Sequence, residues 1–443
     1  MEKKNTWETY SSKQLKELEK INAQYRDFLD NGKTERECID TIVNTIEKSG
    51  YRELESLIKE GAALKTGDKV YSVWMNKSIA MFQIGRKPMT DGMNILGAHI
   101  DSPRLDVKQN PLYEDGGFAY LDTHYYGGVK KYQWVTIPLA IHGVIVKKDG
   151  TCVEINIGEN EDDPVFFVSD LLIHLAQEQL EKKAAKVIEG EALDIIVGNK
   201  PLLIDKKDKK KDEKEAGKEA VKAGVLDILK ETYDIHEEDF VSAELEIVPA
   251  GKAREAGFDR SMTLAYGQDD RVCAYTSMQA MLDSDVTDRT MCCILVDKEE
   301  IGSVGATGMQ SHFFENAVAE VMNLAGEYSE LNVRRCLAHS CMLSSDVSSA
   351  FDPTYASSFD KKNVAYLGGG MVINKFTGAR GKSGSNDANA EYLAHLRHIF
   401  DKAEVNFQTA ELGKVDLGGG GTIAYILALY GMNVIDSGVA VLN

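Results

Sequence analysis

Apolar residues recur every three to four positions over Lys13–Leu29 and again over Glu35–Lys48, the spacing of helices with one buried face. Thr34 and Glu37 form a capping box for the second helix, and Gly50 is placed to close it. The period then shortens. Val70–Asn76 and Ser78–Gln83 read as a strand pair, and the apolar run Met93–Leu96 predicts a buried strand ending at His99. From about Leu105 aromatic and strand-like runs dominate: Phe118–Tyr126, Gln133–Val146 and Cys152–Ile157 predict strands, and Phe166–Gln179 carries helical spacing. After Glu244 apolar strands alternate with helices: Thr290–Val296 then Val318–Leu324, Val364–Leu367 then Ala388–Phe400. The chain closes on a helix over Thr422–Tyr430, capped by Gly431, and a strand over Val434–Leu442.

That alternation predicts an α/β class, a mixed sheet flanked by helices. The first hundred residues join it, giving a discontinuous domain of residues 1–105 and 245–443 interrupted by a β-rich insertion at 106–244. Within the insertion Asp205–Gly224 is a low-complexity stretch of mixed charge, expected as a solvated loop or helix face.

Composition narrows the class further. At 443 residues the chain is too long for one ordinary core. Its formal charge of −19 argues against a nucleic-acid or anionic-membrane partner. No apolar run approaches the roughly 18–20 residues of a membrane span, and the N-terminus lacks the apolar core of a signal peptide. Seven cysteines with no C-x-x-C pair suggest neither a disulfide framework nor a thiolate zinc site, so a cytoplasmic protein is expected.

Chemistry concentrates where apolar runs end. In "LGAHIDSPRLDVK", His99 and Asp101 are two apart and share a strand face. "YGQDDRVCAY" sets Asp269 and Asp270 before a helix, "CCILVDKEEIGSVGA" runs a buried strand into Asp297, Glu299 and Glu300, and "SCMLSSDVSSAFDP" ends a run at Asp346. "VDLGGGGTIAYIL" brings four glycines to a helix start. Open α/β sheets gather ligands outside the carboxyl ends of their strands, so these carboxylates converge. Converging anions repel unless a cation sits among them, and a carboxylate has two oxygens with which to bridge two cations. Glu299 and Glu300 reach one site only where the strand bends, which Gly302 and Gly305 allow. One glutamate could then hold metal while its neighbour accepts a proton from an activated water. An isolated pair of glutamates is usually a solvated turn, and only the company of His99, Asp269 and Asp346 outweighs that reading. Nucleotide and serine-hydrolase signatures fail: Phe376 stands where a P-loop ending in "GKS" needs glycine, and Gly302-Ser303-Val304-Gly305 has the wrong spacing for a nucleophile elbow.

The segments "GAHIDSPRLDVK", "DKEEIGS", "SSDVSSAFDP" and "GGGGTIA", in this order, resemble the aspartyl aminopeptidase and vacuolar aminopeptidase I family of dinuclear zinc exopeptidases, over nearly the whole chain. The resemblance implies a catalytic α/β domain, an inserted dimerisation domain, dimers that assemble into tetrahedral dodecamers, and peptide substrates cut at the N-terminal residue. By position it implies two zinc ions per subunit, one held by His99 and Asp346 and the other by Glu300, with Asp269 bridging. It gives Glu299 as general base and Asp101 as the aspartate orienting His99. His174 in "DLLIHLAQ" and, more loosely, Lys375 in "VINKFTGARG" are implied substrate contacts; a helix-face histidine near the core is the competing reading of His174. Two positions depart from the family pattern. Its last zinc ligand is a histidine shortly after the final strand, and the sequence stops at Asn443, where that strand is expected to end. Ser349 stands where acidic-preferring relatives carry histidine, which tilts the expectation to neutral or broad specificity. Other readings stay open: another dinuclear-metal hydrolase such as a carboxypeptidase, deacylase or phosphatase, or a non-catalytic assembly protein with an incomplete site.

Overall fold

A computed structural model describes residues 5–202 and 219–442. The chain forms two compact units, Met1–Ser102 with Gly267–Asn443, and Pro103–Tyr266. Residues 205–218 of the charged stretch lie outside the described residues; its end opens the helix Ala220–Tyr233.

The first unit is built on a mixed α/β sheet of nine strands among the described residues. In spatial order these are Arg52–Glu53, Lys69–Trp74, Ser78–Gln83, Met291–Val296, Asn94–His99, Cys341–Ser345, Asn433–Gly438, Met371–Asn374 and Phe407–Thr409. The four strands from Met291–Val296 to Asn433–Gly438 are mutually parallel. Ser78–Gln83 joins one side antiparallel and Met371–Asn374 the other. Met291–Val296 is buried on both faces and carries no polar residue, the pattern that parallel sheets covered by helices impose. A core of Phe82, Met93, Ile294, Phe314, Val318 and Leu427 packs one side of the sheet under helices Phe313–Leu324 and Ala424–Ala428. The N-terminal helices Ser12–Asn31 and Glu35–Glu47 each begin with a capping box, Ser11 with Gln14 and Thr34 with Glu37. Gly50 follows with φ of +88°, a left-handed value that suits glycine.

The second unit is a six-stranded antiparallel sheet in the order Cys152–Ile157, Leu139–Val146, Ala243–Pro249, Arg104–Asp115, Phe118–Tyr126 and Ile195–Gly198. It runs on to Tyr266 rather than ending at 244, because Ala243–Pro249 pairs along its whole length with Leu139–Val146. Three expected elements differ. Phe166–Gln179 is not one helix: Phe166 and Phe167 bridge to Leu139 and Ile196, and only a turn at Ile173–Leu175 and one helical turn at Gln177–Leu180 follow. The strand from Gln133 begins only at Leu139, after a turn at Lys131–Gln133. Val364–Leu367 makes a single bridge, Ala350 to Ala365, and the strand lies at Met371–Asn374.

Candidate metal centre

Parallel pairing places the carboxyl ends of neighbouring strands at one edge of the sheet. His99 is the last residue of its strand and is the register partner of Val296, the last of the next. The chain beyond Val296 turns through Glu299–Ile301, flanked by Lys298 at φ +71° and Gly302 at φ +94°. This is the bend that adjacent glutamates require, and both Glu299 and Glu300 line the same cavity. Asp346 follows the Cys341–Ser345 strand, and Asp269 opens the helix Gln268–Asp283, where Ser102 donates to its backbone carbonyl at 2.6 Å. Gly438, at the end of the next strand, passes so close to Asp346 that a methyl group there would collide with the Asp346 carbonyl.

Asp101 is fully buried and ties the edge together. Its two carboxylate oxygens accept the backbone N–H groups of Glu299 and Glu300, each at 3.1 Å. His99 Nδ1 faces it, 3.0 Å from its backbone carbonyl and 3.2 Å from its side chain. With Nδ1 so engaged, Nε2 points at three carboxylates: Asp269 at 3.3 Å, Asp346 at 3.8 Å and Glu299 at 3.9 Å. Donor atoms of His99, Asp269 and Asp346 all lie within 4.8 Å of one another.

The electrostatics show what such a cluster lacks. Burial pushes the Glu299 carboxyl up to about 8; Asp346, Asp101 and Asp269 add to the rise, and His99 opposes it. Glu300 is pushed up to about 8, by burial first and then by Asp269. Burial raises Asp346, and burial with the Asp346 charge raises Asp270. Burial disfavours a charged His99, yet Asp101, Asp269 and Asp346 outweigh it and hold its imidazole well above the usual range. Carboxylates crowded round one imidazole suit a divalent cation, and a nitrogen and oxygen donor set without thiolate suits zinc.

The cavity holds about 620 Å³. It is lined by Asp269, Glu299, Glu300, Asp346 and Ser349, and by Asn374, Thr377, Gly419–Gly421, Thr422 and Asp436. Lys375 does not line it: its ammonium is half exposed and 4.0 Å from Asp387. The neighbouring Asn374, last residue of the strand Met371–Asn374, does line it. His174 belongs to the second unit, exposed on the turn Ile173–Leu175 rather than buried on a helix face. Asp436 and Asn374 carry little signal in the sequence: Asp436 follows Val434 and Ile435 but adjoins Ser437, and no motif marks Asn374. Among the described residues no helix is long and apolar enough to cross a membrane.

Comparison with known proteins finds zinc metalloproteases. The family model of the aminopeptidase I zinc metalloproteases (M18) matches residues 28–443. A Clostridium acetobutylicum protein named Probable M18 family aminopeptidase 1 is 63% identical over 442 residues, spanning 100% of this chain and 93% of that one. The crystal structure of an M18-family aminopeptidase from Thermotoga maritima superposes with a TM-score of 0.92 at 44% identity, over 99% of this chain and 93% of that one. A dodecameric structure of the yeast protein mApe1 shares the fold alone, with a TM-score of 0.74 at 19% identity over 96% and 91% of the two chains.

Proposed function

This chain belongs to the aminopeptidase I zinc metalloprotease (M18) family, and we propose that it removes the N-terminal residue of peptides with two zinc ions and Glu299 as general base. The observation that carries the proposal is the meeting of His99, Asp269 and Asp346 donor atoms within 4.8 Å beside Glu299 and Glu300 on one cavity. His99 and Asp346 would hold one zinc, Glu300 the other, with Asp269 between them. Bound zinc supplies a Lewis acid that activates water and polarises the scissile carbonyl.

The remaining chemistry belongs to the chain. Glu299 accepts a proton from the attacking water and returns it to the leaving amine. Glu299 lines the cavity 3.9 Å from His99, within reach of a water held there. Asp101 fixes the imidazole of His99 and the backbone of both glutamates, so the proton acceptor and the metal-binding groups keep one geometry. The carboxylate-rich cavity attracts the protonated α-amino group of a peptide.

Self-association belongs to the same proposal. Leu171, Leu172, Ile173 and Leu175 of the second unit are 53–71% exposed in one short stretch, an apolar patch that a second copy would cover. Assembly through dimers into a tetrahedral dodecamer is what the family resemblance implies for such a patch. All seven cysteines are free, which supports a cytoplasmic location.

The test is Glu299→Gln, assayed for zinc content and for release from aminoacyl-anilides, N-acylated amino acids and phosphate esters. Zinc content should match the native protein, and release from aminoacyl-anilides should fall about 10²–10⁴-fold. Native turnover in the variant, or a native preference for acylated amino acids or phosphate esters, would overturn the proposal.

A further inference from the structure

The proposed metal ligands and general base account for Asp269, Glu299, Glu300 and Asp346 in the cavity lining, but not for the polar residues Asn374, Thr377 and Asp436. Asn374 and Asp436 are direct register partners on antiparallel strands, so their side chains share a face. Asp436 is 2% exposed and Asn374 5% exposed. The Thr422 hydroxyl donates to one Asp436 oxygen at 2.6 Å, and the Asn374 amide nitrogen donates to Ser348 at 3.4 Å. That leaves Asp436 Oδ2 and Asn374 Oδ1 with no donor, and Thr377 Oγ1 beside the same cavity is without a partner as well. Buried acceptors are almost always satisfied, so a donor belongs here.

Charge narrows the donor. No lysine, arginine or histidine is among the described residues lining the cavity. The nearest lysine along the strand, Lys375, is turned out to solvent beside Asp387. A buried carboxylate without a cation on it, next to a free amide oxygen, matches an ammonium or guanidinium group. Building on the aminopeptidase reading above, we infer that Asp436 and Asn374 form the pocket for the substrate's N-terminal side chain and select lysine or arginine there, discriminating against aspartate and glutamate. The lysine stem would lie along Leu412 and the Gly419–Gly421 loop, whose lack of side chains leaves room for it.

The experiment compares the zinc-loaded enzyme on dipeptides with lysine, norleucine or glutamate at the N-terminus and an identical second residue. Norleucine has the length of lysine without the charge. The lysyl substrate should exceed the norleucyl one in kcat/KM by about 10–100-fold, the worth of a hydrogen bond to a charged group, and the glutamyl one should be poorest. In Asp436→Asn and in Asn374→Leu the lysyl-to-norleucyl ratio should fall at least severalfold. Calorimetric binding of free lysine against free norleucine should show the same order and the same loss, independently of turnover. Equal values for the two substrates in the native enzyme, or a ratio unmoved by both variants, would overturn the inference while leaving the aminopeptidase reading intact. Release from none of the dipeptides would overturn that reading instead, and the calorimetric comparison would then decide this one.

Discussion

The two units treat buried charge in opposite ways. In the antiparallel unit, Arg104 sits 2.7 Å from Asp106 and 3.2 Å from Glu246 and lies over the Tyr126 ring, and His142 meets Glu159 at 3.1 Å. Asp106 and Glu246 there share a guanidinium, and Glu159 meets an imidazole, both supplied by the same sheet. At the carboxyl edge of the parallel sheet, Asp269, Glu299 and Asp346 share a single imidazole. Self-balanced charge is scaffold; unbalanced charge marks the place where the protein receives something from outside.

Stripping divalent ions from the protein is the strongest way to break that contrast. Chelation should lower N-terminal release by more than about 10³-fold, with recovery on adding zinc, while the second unit keeps its spectroscopic signature. Undiminished release after chelation would show that the parallel edge balances its own charge. Next in size, Asp101→Ala removes the acceptor of two backbone amides and the partner of His99. It should weaken zinc affinity about 10–100-fold and destabilise the first unit by about 2–4 kcal/mol, measured by metal titration and denaturant unfolding.

A subtler difference lies in pH dependence. Glu299 and Glu300 rise from 4.5 to about 8 in the folded, metal-free chain. Below the ordinary carboxylate range both folded and unfolded chains keep these protons, so they do not bias folding. As pH rises through that range only the unfolded chain ionises, and stability falls until the folded groups ionise near 8. The melting temperature of the metal-free protein should therefore drop between about pH 5 and 8, and zinc should flatten the slope. A flat metal-free profile would contradict the crowding of carboxylates. The smallest effect is expected in the other unit. Replacing Arg104 by Met together with Glu246 by Leu should change unfolding free energy by no more than about 1–2 kcal/mol and preserve hydrolysis, because the buried Arg104–Glu246 contact gives way to apolar packing while the part-exposed Asp106 is left to solvent.

The parallel edge was legible in the sequence because apolar runs that stop at acids are visible one at a time, and the sheet rule brings their ends together. His99, Asp101, Asp269, Glu299, Glu300 and Asp346 meet as that rule requires. What stayed hidden depends on pairing or on a single-residue phase. Ala243–Pro249 reads as a strand of either unit, and only its register with Leu139–Val146 assigns it. The apolar spacing of Phe166–Gln179 imitates a helix, but Leu171, Leu172, Ile173 and Leu175 are exposed, so their pattern does not report a core. Lys375 and Asn374 differ by one position, and one position on a strand decides which side chain enters the cavity. Asp436 stays hidden because its burial and its pairing with Thr422 depend on the fold.

The grip of one carboxylate on two successive amides has an evolutionary consequence. Any backbone drift that re-aims Glu299 must carry Glu300 with it, and an insertion between them would release both from Asp101. Descendants of this chain can therefore diversify at single lining positions such as Asn374 and Ser349, while the paired glutamates are inherited as one indivisible unit.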